Sequence, residues 1–505
     1  MPDLKNLIFR FYLKHWFPPH FTAKRAYREQ ERNLKSIIKS LSKTALGKDL
    51  HLQNIKSYID FAKQVPVTNY SFYEKYIERI ITGEQKVMTE GRVRWFGKTA
   101  GTTSGKSKLV PITKRIVNRS HVSGTFYGLS RLHYFDKTAD ILSHKNFVMT
   151  GGMYETLSPS GIIVADISAI MMRNIPMPFR SIYVPDNALT VHASWQHKLD
   201  NIPAKVMNAD VGNIVGVPTW HLAVLNKIRE QKPFNTLPEL WKNVRFFFHG
   251  GVNFEPYRKQ FKALAAREDF IFFETYNATE GFFGIQNTLH DNHLLLLTDT
   301  DIFYEFIAFT EYEKPDYKVI PLEEVSINMP YVLVITASNG LLRYVIGDVI
   351  TFTGTNPFTY KITGRTQEYI NAFGEDLLLV NVVNALTATN EYFGCTIGDY
   401  TVAPYYINIE TKGRMQFLIE FVTPPDNLQD YTIMLDSELQ KQNSNYAQKR
   451  NNNIALSELE VIIAPTGTFY KWLEINGKLG GQNKVPRLVN SRKIIDEVLA
   501  ILDNR

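Results

Sequence analysis

The feature that most restricts how this chain can fold is a recurrence of short, uniformly apolar runs separated by polar stretches. Residues 244–248, 271–273 and 331–336 are such runs, and they have the composition of strands buried on both faces. The stretch 256–267 between them is polar with helical spacing. Alternation of this kind predicts an α/β domain. Upstream, Thr22 is a suitable helix N-cap, and Leu34, Ile37, Ile38 and Leu41 follow at helical spacing. Together they predict one amphipathic helix over 22–46 that stops at Gly47. Asn339-Gly340 between two apolar runs predicts a hairpin turn and a returning strand over 341–346 that ends at Gly347-Asp348. A second strand pair is expected around 351–363. Beyond Gly364-Arg365 the pattern changes to shorter α+β segments, with an Asn- and Gln-rich stretch, 440–453, expected to be a surface loop. The change places a domain boundary between Arg365 and Ile370.

Several function classes are disfavoured by composition. Cys395 is the only cysteine, which excludes an internal disulfide and a cysteine-based zinc cluster and suits a reducing compartment. Any metal must then be held by oxygen ligands. The 57 Lys and Arg residues outnumber the 50 Asp and Glu residues, for a net charge of +7. They are interleaved with the acids, which argues against nucleic acid as a partner and leaves an anionic small substrate or plain solvated surface. The first 17 residues mix Asp3, Lys5, Arg10 and Lys14 with aromatics and lack the apolar stretch of a signal peptide or membrane span. They are expected to dock on the domain of a soluble, cytoplasmic protein without a membrane partner.

Thr99-Ala100-Gly101-Thr102-Thr103-Ser104-Gly105-Lys106-Ser107-Lys108 packs glycines, small hydroxyls and lysines into ten residues. A phosphate cradle needs these types: glycines let backbone N–H groups approach the oxygens, hydroxyls donate and lysines neutralise charge. The spacing is not that of a Walker loop, because Gly101 lies one residue too close to Gly105-Lys106-Ser107. An ordinary Gly/Ser loop remains open at this point. Three further segments follow predicted strands: His249-Gly250-Gly251-Val252, Glu274-Thr275-Tyr276-Asn277-Ala278-Thr279-Glu280-Gly281, and Tyr344-Val345-Ile346-Gly347-Asp348. Ligands of open α/β sheets gather beyond the carboxyl ends of strands. There Tyr276 offers a ring for a base, Thr279 a hydroxyl for a phosphate, Glu280 an oxygen ligand for magnesium and Asp348 an acceptor for ribose hydroxyls. Taken singly, each is equally a rim residue or a turn.

In order, these segments and Gly364-Arg365-Thr366-Gln367-Glu368-Tyr369-Ile370-Asn371-Ala372-Phe373-Gly374-Glu375 resemble the motifs of the adenylate-forming superfamily of acyl-CoA synthetases, adenylation domains and luciferases. Within it, the chain is most similar to the auxin-responsive Gretchen-Hagen-three family of acyl-acid amido synthetases. That similarity is carried by Phe61-Ala62-Lys63-Gln64-Val65-Pro66, Tyr70, Tyr73, Tyr76-Ile77-Glu78-Arg79, Gly83-Glu84 and Gly481-Gln482-Asn483-Lys484-Val485-Pro486-Arg487.

The resemblance implies a large mixed α/β N-terminal domain, residues 1–365, that binds ATP and the acyl group. A hinge at 366–370 and a small mobile α+β C-terminal domain, 371–505, would follow. It implies that Thr99, Thr102 and Thr103 meet the phosphates of ATP, that Tyr276 and Gly250, Gly251 and Val252 flank the adenine, and that Thr279 and Glu280 approach phosphate and Mg2+. Asp348 and Arg365 would hold the ribose. Lys484, with Gln482 beside it, would be the lysine brought in for adenylation, and Lys478 is its rival. Ala100, Asn277 and Val345 depart from the family pattern.

The implied chemistry is a ligase that adenylates a small-molecule carboxylic acid and transfers the acyl group to an amine, an amino acid in the nearest family, releasing AMP and pyrophosphate. Two alternatives stay open: a coenzyme A ligase with the same first step, and a non-catalytic nucleotide-binding protein. For the acyl pocket, 123–132 and 162–172 offer apolar and small residues, most of which are better explained as packing core.

Overall fold

The computed structural model describes residues 4–99, 108–252, 254–289, 291–312, 314–366, 369–375, 377–407, 411–451, 456–476 and 485–503. Its frame is a twelve-stranded sheet with two characters. At one end Tyr183–Val184, Lys145–Val148, Val211–Gly216, Phe246–His249 and Ile271–Ala278 run parallel in that order. Helices such as Pro218–Gln231 and Glu255–Ala265 connect them. Ile271–Ala278 then pairs antiparallel with Gly281–Gln286. From there the sheet continues antiparallel through Leu294–Leu296, Phe358–Arg365, Tyr344–Thr355, Pro330–Ala337, Ile302–Ala308 and Val319–Pro321. The apolar runs of the sequence are thus buried strands, as expected.

A four-stranded sheet of Lys108–Ile112, Trp95–Thr99, Ile162–Ala165 and Met153–Leu157 stands beside this frame. Thr99 and Lys108 are cross-strand partners at the end of their two strands, and residues 100–107 of the Gly/Ser/Thr segment lie outside the described residues. A third sheet, Thr396–Tyr405, Arg414–Thr423 and Glu460–Ala464, is covered by helices that include Leu379–Phe393 and Leu428–Gln442.

Two large apolar clusters organise the interior. One buries the antiparallel half against the N-terminal helices, for example Ile37, Tyr73, Phe306 and Ile335. The other joins the helices of the parallel half to the C-terminal sheet: Phe247, Phe254 and Tyr257 share a core with Ile370, Phe373, Phe417 and Ile419. Across that junction the Tyr257 hydroxyl donates to the Ala372 carbonyl at 2.6 Å.

Four local expectations are corrected. The helix over 22–46 is two helices: Thr22 does cap it, accepting from the Arg25 N–H at 3.3 Å, but it ends at Leu41. Gly47 lies inside the next helix, Ala45–Asp49. Gly347-Asp348 does not end its strand. Gly347 takes a left-handed φ of 97° and the strand continues to Thr355, with the Gly347 carbonyl accepting from the Thr366 N–H at 2.9 Å. The strand pair expected around 351–363 is present, and only its separateness is corrected: its first strand is the continuation of the returning strand, paired with Phe358–Arg365. Finally, the stretch 440–453 is not a surface loop: the Leu428–Gln442 helix runs into it and Ser444–Arg450 forms another. Tyr446 and Arg450 are buried there on the Asp436 carboxylate.

The N-terminal helix Leu4–Trp16 docks as expected, with the Asn6 amide donating to Asp140 and the Arg10 guanidinium to the Ala139 carbonyl. Among the described residues no helix is long and apolar enough to cross a membrane.

Candidate active site

The parallel strands deliver their carboxyl ends to one cavity. Thr150-Gly151-Gly152, Val217, Gly250-Gly251-Val252 and Thr279-Glu280 each follow such a strand and line it. Its volume of about 1090 Å³ is enough for a nucleotide together with a second ligand. Nine site residues expected from sequence line this space: Thr99, Gly250, Gly251, Val252, Tyr276, Thr279, Glu280, Asp348 and Arg365. Thr102, Thr103, Gln482, Lys484 and the rival Lys478 lie outside the described residues.

The Asp348–Arg365 pair is built by strand register, because the two are directly opposed across the hairpin. Arg365 Nε donates to Asp348 Oδ1 at 2.5 Å, and the Tyr276 hydroxyl donates to Asp348 Oδ2. Asp348 therefore stands with both oxygens engaged by protein, which the sequence did not indicate. Burial and the neighbouring carboxylate push the Tyr276 phenol well above its ordinary range, so it stays a donor. The Tyr276 ring packs edge-on against Phe283 at 4.9 Å between centroids.

Thr279 and Glu280 occupy the turn between Ile271–Ala278 and Gly281–Gln286, both of them buried. Thr279 leans on the hairpin that carries Thr99: a Cβ on Gly97 would meet its methyl group at 2.2 Å, so glycine is what admits it. The amide of Asn339 donates to the Glu280 carbonyl at 3.2 Å, giving the Asn339-Gly340 turn a role in fixing the site. Burial raises the Glu280 carboxyl pKa, and the Lys108 ammonium opposes this. Burial likewise lowers Lys108, with Glu280 opposing. Asp348 adds like charge to Glu280 and Arg365 offsets it.

Val345 lines the cavity, and its N–H bonds the Thr68 carbonyl at 2.9 Å. Asn277 accounts for another departure from the family pattern, since its Oδ1 lies 2.8 Å from Nδ1 of the buried His121. Of the two stretches considered for an acyl pocket, the helix over 123–135 packs onto the sheet and contributes nothing to the cavity wall. Asp166, Ile167 and Ser168 from the other do line it.

A second polar wall was missed in the sequence. Lys198 is buried and donates to the carbonyls of Thr150 at 2.7 Å and Gly151 at 2.9 Å. Burial brings its ammonium down to about 7, with Asp166 opposing and Lys449 reinforcing the fall. Asp166 accepts from the Gly152 N–H at 2.8 Å and from the Tyr154 hydroxyl. Trp195 and Trp220 complete the wall with Asn445, Gln448 and Lys449 of the Ser444–Arg450 helix. One signal could have found that helix: Asn443 is its N-cap, accepting from the Tyr446 N–H at 2.9 Å.

The chain matches three profiles along its length: the GH3 family N-terminal domain over residues 20–194 and 158–270, the central domain over 295–365 and the C-terminal domain over 380–493. It is 20% identical to the 4-substituted benzoates-glutamate ligase GH3.12 of Arabidopsis thaliana, with 94% of this chain and 97% of that protein covered. It shares its fold with the GH3.15 acyl acid amido synthetase solved in complex with 2,4-DB, at a TM-score of 0.60 and 17% identity, covering 94% and 93% of the two chains. The 2-hydroxyisobutyryl-CoA ligase solved with 2-HIB-AMP and CoA superposes at a TM-score of 0.60 and 12% identity, over 97% and 95%.

Proposed function

Because this chain belongs to the GH3 family, we propose that it is an acyl-acid amido synthetase that adenylates a carboxylic acid with ATP and passes the acyl group to an amino acid. The observation that carries the reading is the convergence of Thr99, Tyr276, Glu280, Asp348 and Arg365 on one cavity at the carboxyl ends of the strands.

In the first step the acid's carboxylate attacks the α-phosphorus and pyrophosphate leaves, so the site must hold both reactants in line and neutralise developing charge. We assign phosphate contacts to Thr99, Thr102, Thr103 and Thr279, the adenine to Gly250, Gly251, Val252 and Tyr276, and the ribose to Asp348 and Arg365. Asp348 accepts one bond on each oxygen, from Tyr276 and Arg365, and each oxygen keeps acceptor capacity for a ribose hydroxyl. Magnesium fits the chemistry at Glu280, a carboxylate on the cavity lining, because one protein carboxylate with phosphate oxygens is a usual set for this ion. When bound it supplies positive charge at the phosphates.

We further propose that residues 1–365 and 371–505 are separate domains joined at 366–370, and that Lys484, with Gln482, enters for adenylation. In the second step the amine, having given one proton to solvent, attacks the acyl carbon, the carbon's bond to the AMP oxygen breaks, and the nitrogen gives up a second proton to leave the amide. Withdrawal of Lys484 by rotation at the hinge opens the way for this acceptor. The lone cysteine fits a reducing cytoplasm.

The test is acid-dependent ATP/pyrophosphate exchange over a panel of carboxylic acids, followed by AMP release with amino acids and with coenzyme A. Amide formation with an amino acid is the expected result. AMP release that requires coenzyme A instead would replace this reading with that of a thioester-forming ligase.

A further inference from the structure

The helix Leu4–Trp16, 13 residues long, is apolar on two sides and covered on one. Its inner side is held firmly. Leu13 is buried, Phe9 and the following Phe17 pack against Phe126 at 6.3 and 5.1 Å between ring centroids, and the Asn6 amide donates to Asp140 at 2.8 Å. The opposite side carries Leu7, Ile8, Phe11, Tyr12 and Trp16 on successive turns, and all five are exposed: Ile8 by 62%, Trp16 by 63% and Phe11 by 75%. A helix that is hydrophobic all round belongs under cover all round, and an apolar patch left open on a folded surface marks a place of contact. The charge of the helix has one sign, because it contains Lys5, Arg10, Lys14 and His15 and no acid. Lys14 is exposed one turn from Phe11. Next to the helix Lys137 is exposed, its carbonyl accepting from Arg10, whereas Asp136 is buried on Arg245 at 2.8 Å.

We propose that this face seats the protein on an anionic phospholipid bilayer, with Leu7, Ile8, Phe11, Tyr12 and Trp16 entering the interface and Lys14 meeting the lipid phosphates. Aromatic rings suit the headgroup level, and a cation at the flank of an apolar face reaches the phosphates along its own apolar stem. The helix is too short to cross the hydrocarbon core, which takes about 20 residues, so it lies in the plane of the surface. The absence of a long apolar stretch in residues 1–17 speaks against a span and leaves this mode open, since a helix lying flat needs only one apolar face. A second copy of the chain fits the face poorly. In a two-fold contact the patch meets itself, which sets Lys14 and His15 against their own copies with no acid on either helix to pair them. The attachment is independent of the chemistry in the cavity, because no residue of this helix lines it.

The full-length protein is sedimented with vesicles of phosphatidylcholine alone and with vesicles of phosphatidylcholine and phosphatidylglycerol in equal parts. The wild type is expected in the pellet with the mixed vesicles, far less with phosphatidylcholine, and to be released in part by high salt. Phe11→Ser combined with Trp16→Ser removes two exposed rings and should lower the affinity by about 10-fold or more. Lys14→Gln should lower it by about 5-fold, the effect of one cation near such a surface. Unchanged thermal melting of both variants shows that contact is lost and not the fold. Binding that the double variant retains in full overturns the proposal, and equal binding of the wild type to both kinds of vesicle overturns its anionic part. No sedimentation with either kind also overturns it. A dimer in sedimentation velocity that the double substitution dissolves then hands the face to a second copy, and a monomer hands it to an unlike protein.

Discussion

The two walls of the cavity are assembled by opposite means. The nucleotide wall is made of strand ends and tight turns: Gly250-Gly251-Val252 follows one strand, Thr279-Glu280 links two, and Asp348 faces Arg365 by register. Each functional group there sits within a few residues of the backbone feature that places it. The second wall gathers Asp166, Trp195, Lys198 and Trp220 from separate connections and meets them with a short helix more than two hundred residues downstream. The first wall suits what every member of such a reaction class must do, which is to hold ATP. The second owes less to strand register: of these four residues only Asp166 directly follows a strand, its N–H bonding the Gly152 carbonyl at 2.9 Å.

The comparison breaks most visibly at Lys484, which the proposed cycle places on neither wall permanently. Lys484→Ala should lower pyrophosphate exchange by about 10²-fold or more, if it supplies the ~2.7 kcal/mol typical of a preorganised transition-state donor. Aminolysis of a supplied acyl-adenylate should change far less, with Lys478→Ala as the control. An equal fall in both half-reactions would remove the alternation. If Lys478→Ala alone shows the selective loss, the role passes to that residue.

Next in size is Asp348→Ala. It removes the acceptor of two protein donors and of the ribose, and should weaken ATP binding by about 1.5–3 kcal/mol while binding of the acceptor is little changed. Titration of folded variant with ATP checks this, and unchanged affinity would refute the ribose assignment. Glu280→Gln should reduce adenylation by about 10-fold at limiting magnesium and recover as magnesium is raised, because an amide keeps the shape but is a weaker ligand. Wild-type exchange at limiting magnesium would make Glu280 structural.

The smallest effect is on stability. Burial holds His121 at about 4 and His221 and His249 at about 3. Their folded values lie below the unfolded one, so as pH falls below about 6.5 the unfolded chain binds protons that the folded chain refuses. Stability is therefore lost on acidification, by about 1 kcal/mol per histidine at pH 6. His249 ends the strand before the adenine turn, so His249→Asn should flatten the fall of melting temperature between pH 7.5 and 5. A wild-type melting temperature independent of pH over this range would contradict the assignment.

Much of the nucleotide wall was legible because its signals are local. An apolar run followed by Gly-Gly, or by Thr-Glu-Gly, announces a buried strand and its exit, and the residues that act are the ones that punctuate. Gly347 misled for the same reason: glycine there marks a left-handed kink inside a strand, and nothing in the neighbouring sequence separates this from a stop. The helix Ser444–Arg450 stayed hidden because seven residues give too little periodicity, and its buried Lys449 and Arg450 look like solvated charges until Trp220 and Asp436 are known to lie beside them. Trp195 belongs to the core and Trp220 packs against it. Their unmatched N–H groups have no signature in one dimension.

The apolar cluster shared by residues from Phe147 to Phe270 and from Ile370 to Leu488 bears on how the chain is made. Synthesis completes the parallel strands long before Phe373, Phe417 and Ile419 exist to cover Phe254 and Tyr257. A nascent chain halted before residue 370 would present that greasy flank to the cell, where it invites aggregation or a chaperone. Expression of residues 1–365 alone should accordingly give poorer yield than the whole chain, and co-expression of 366–505 should restore some of it.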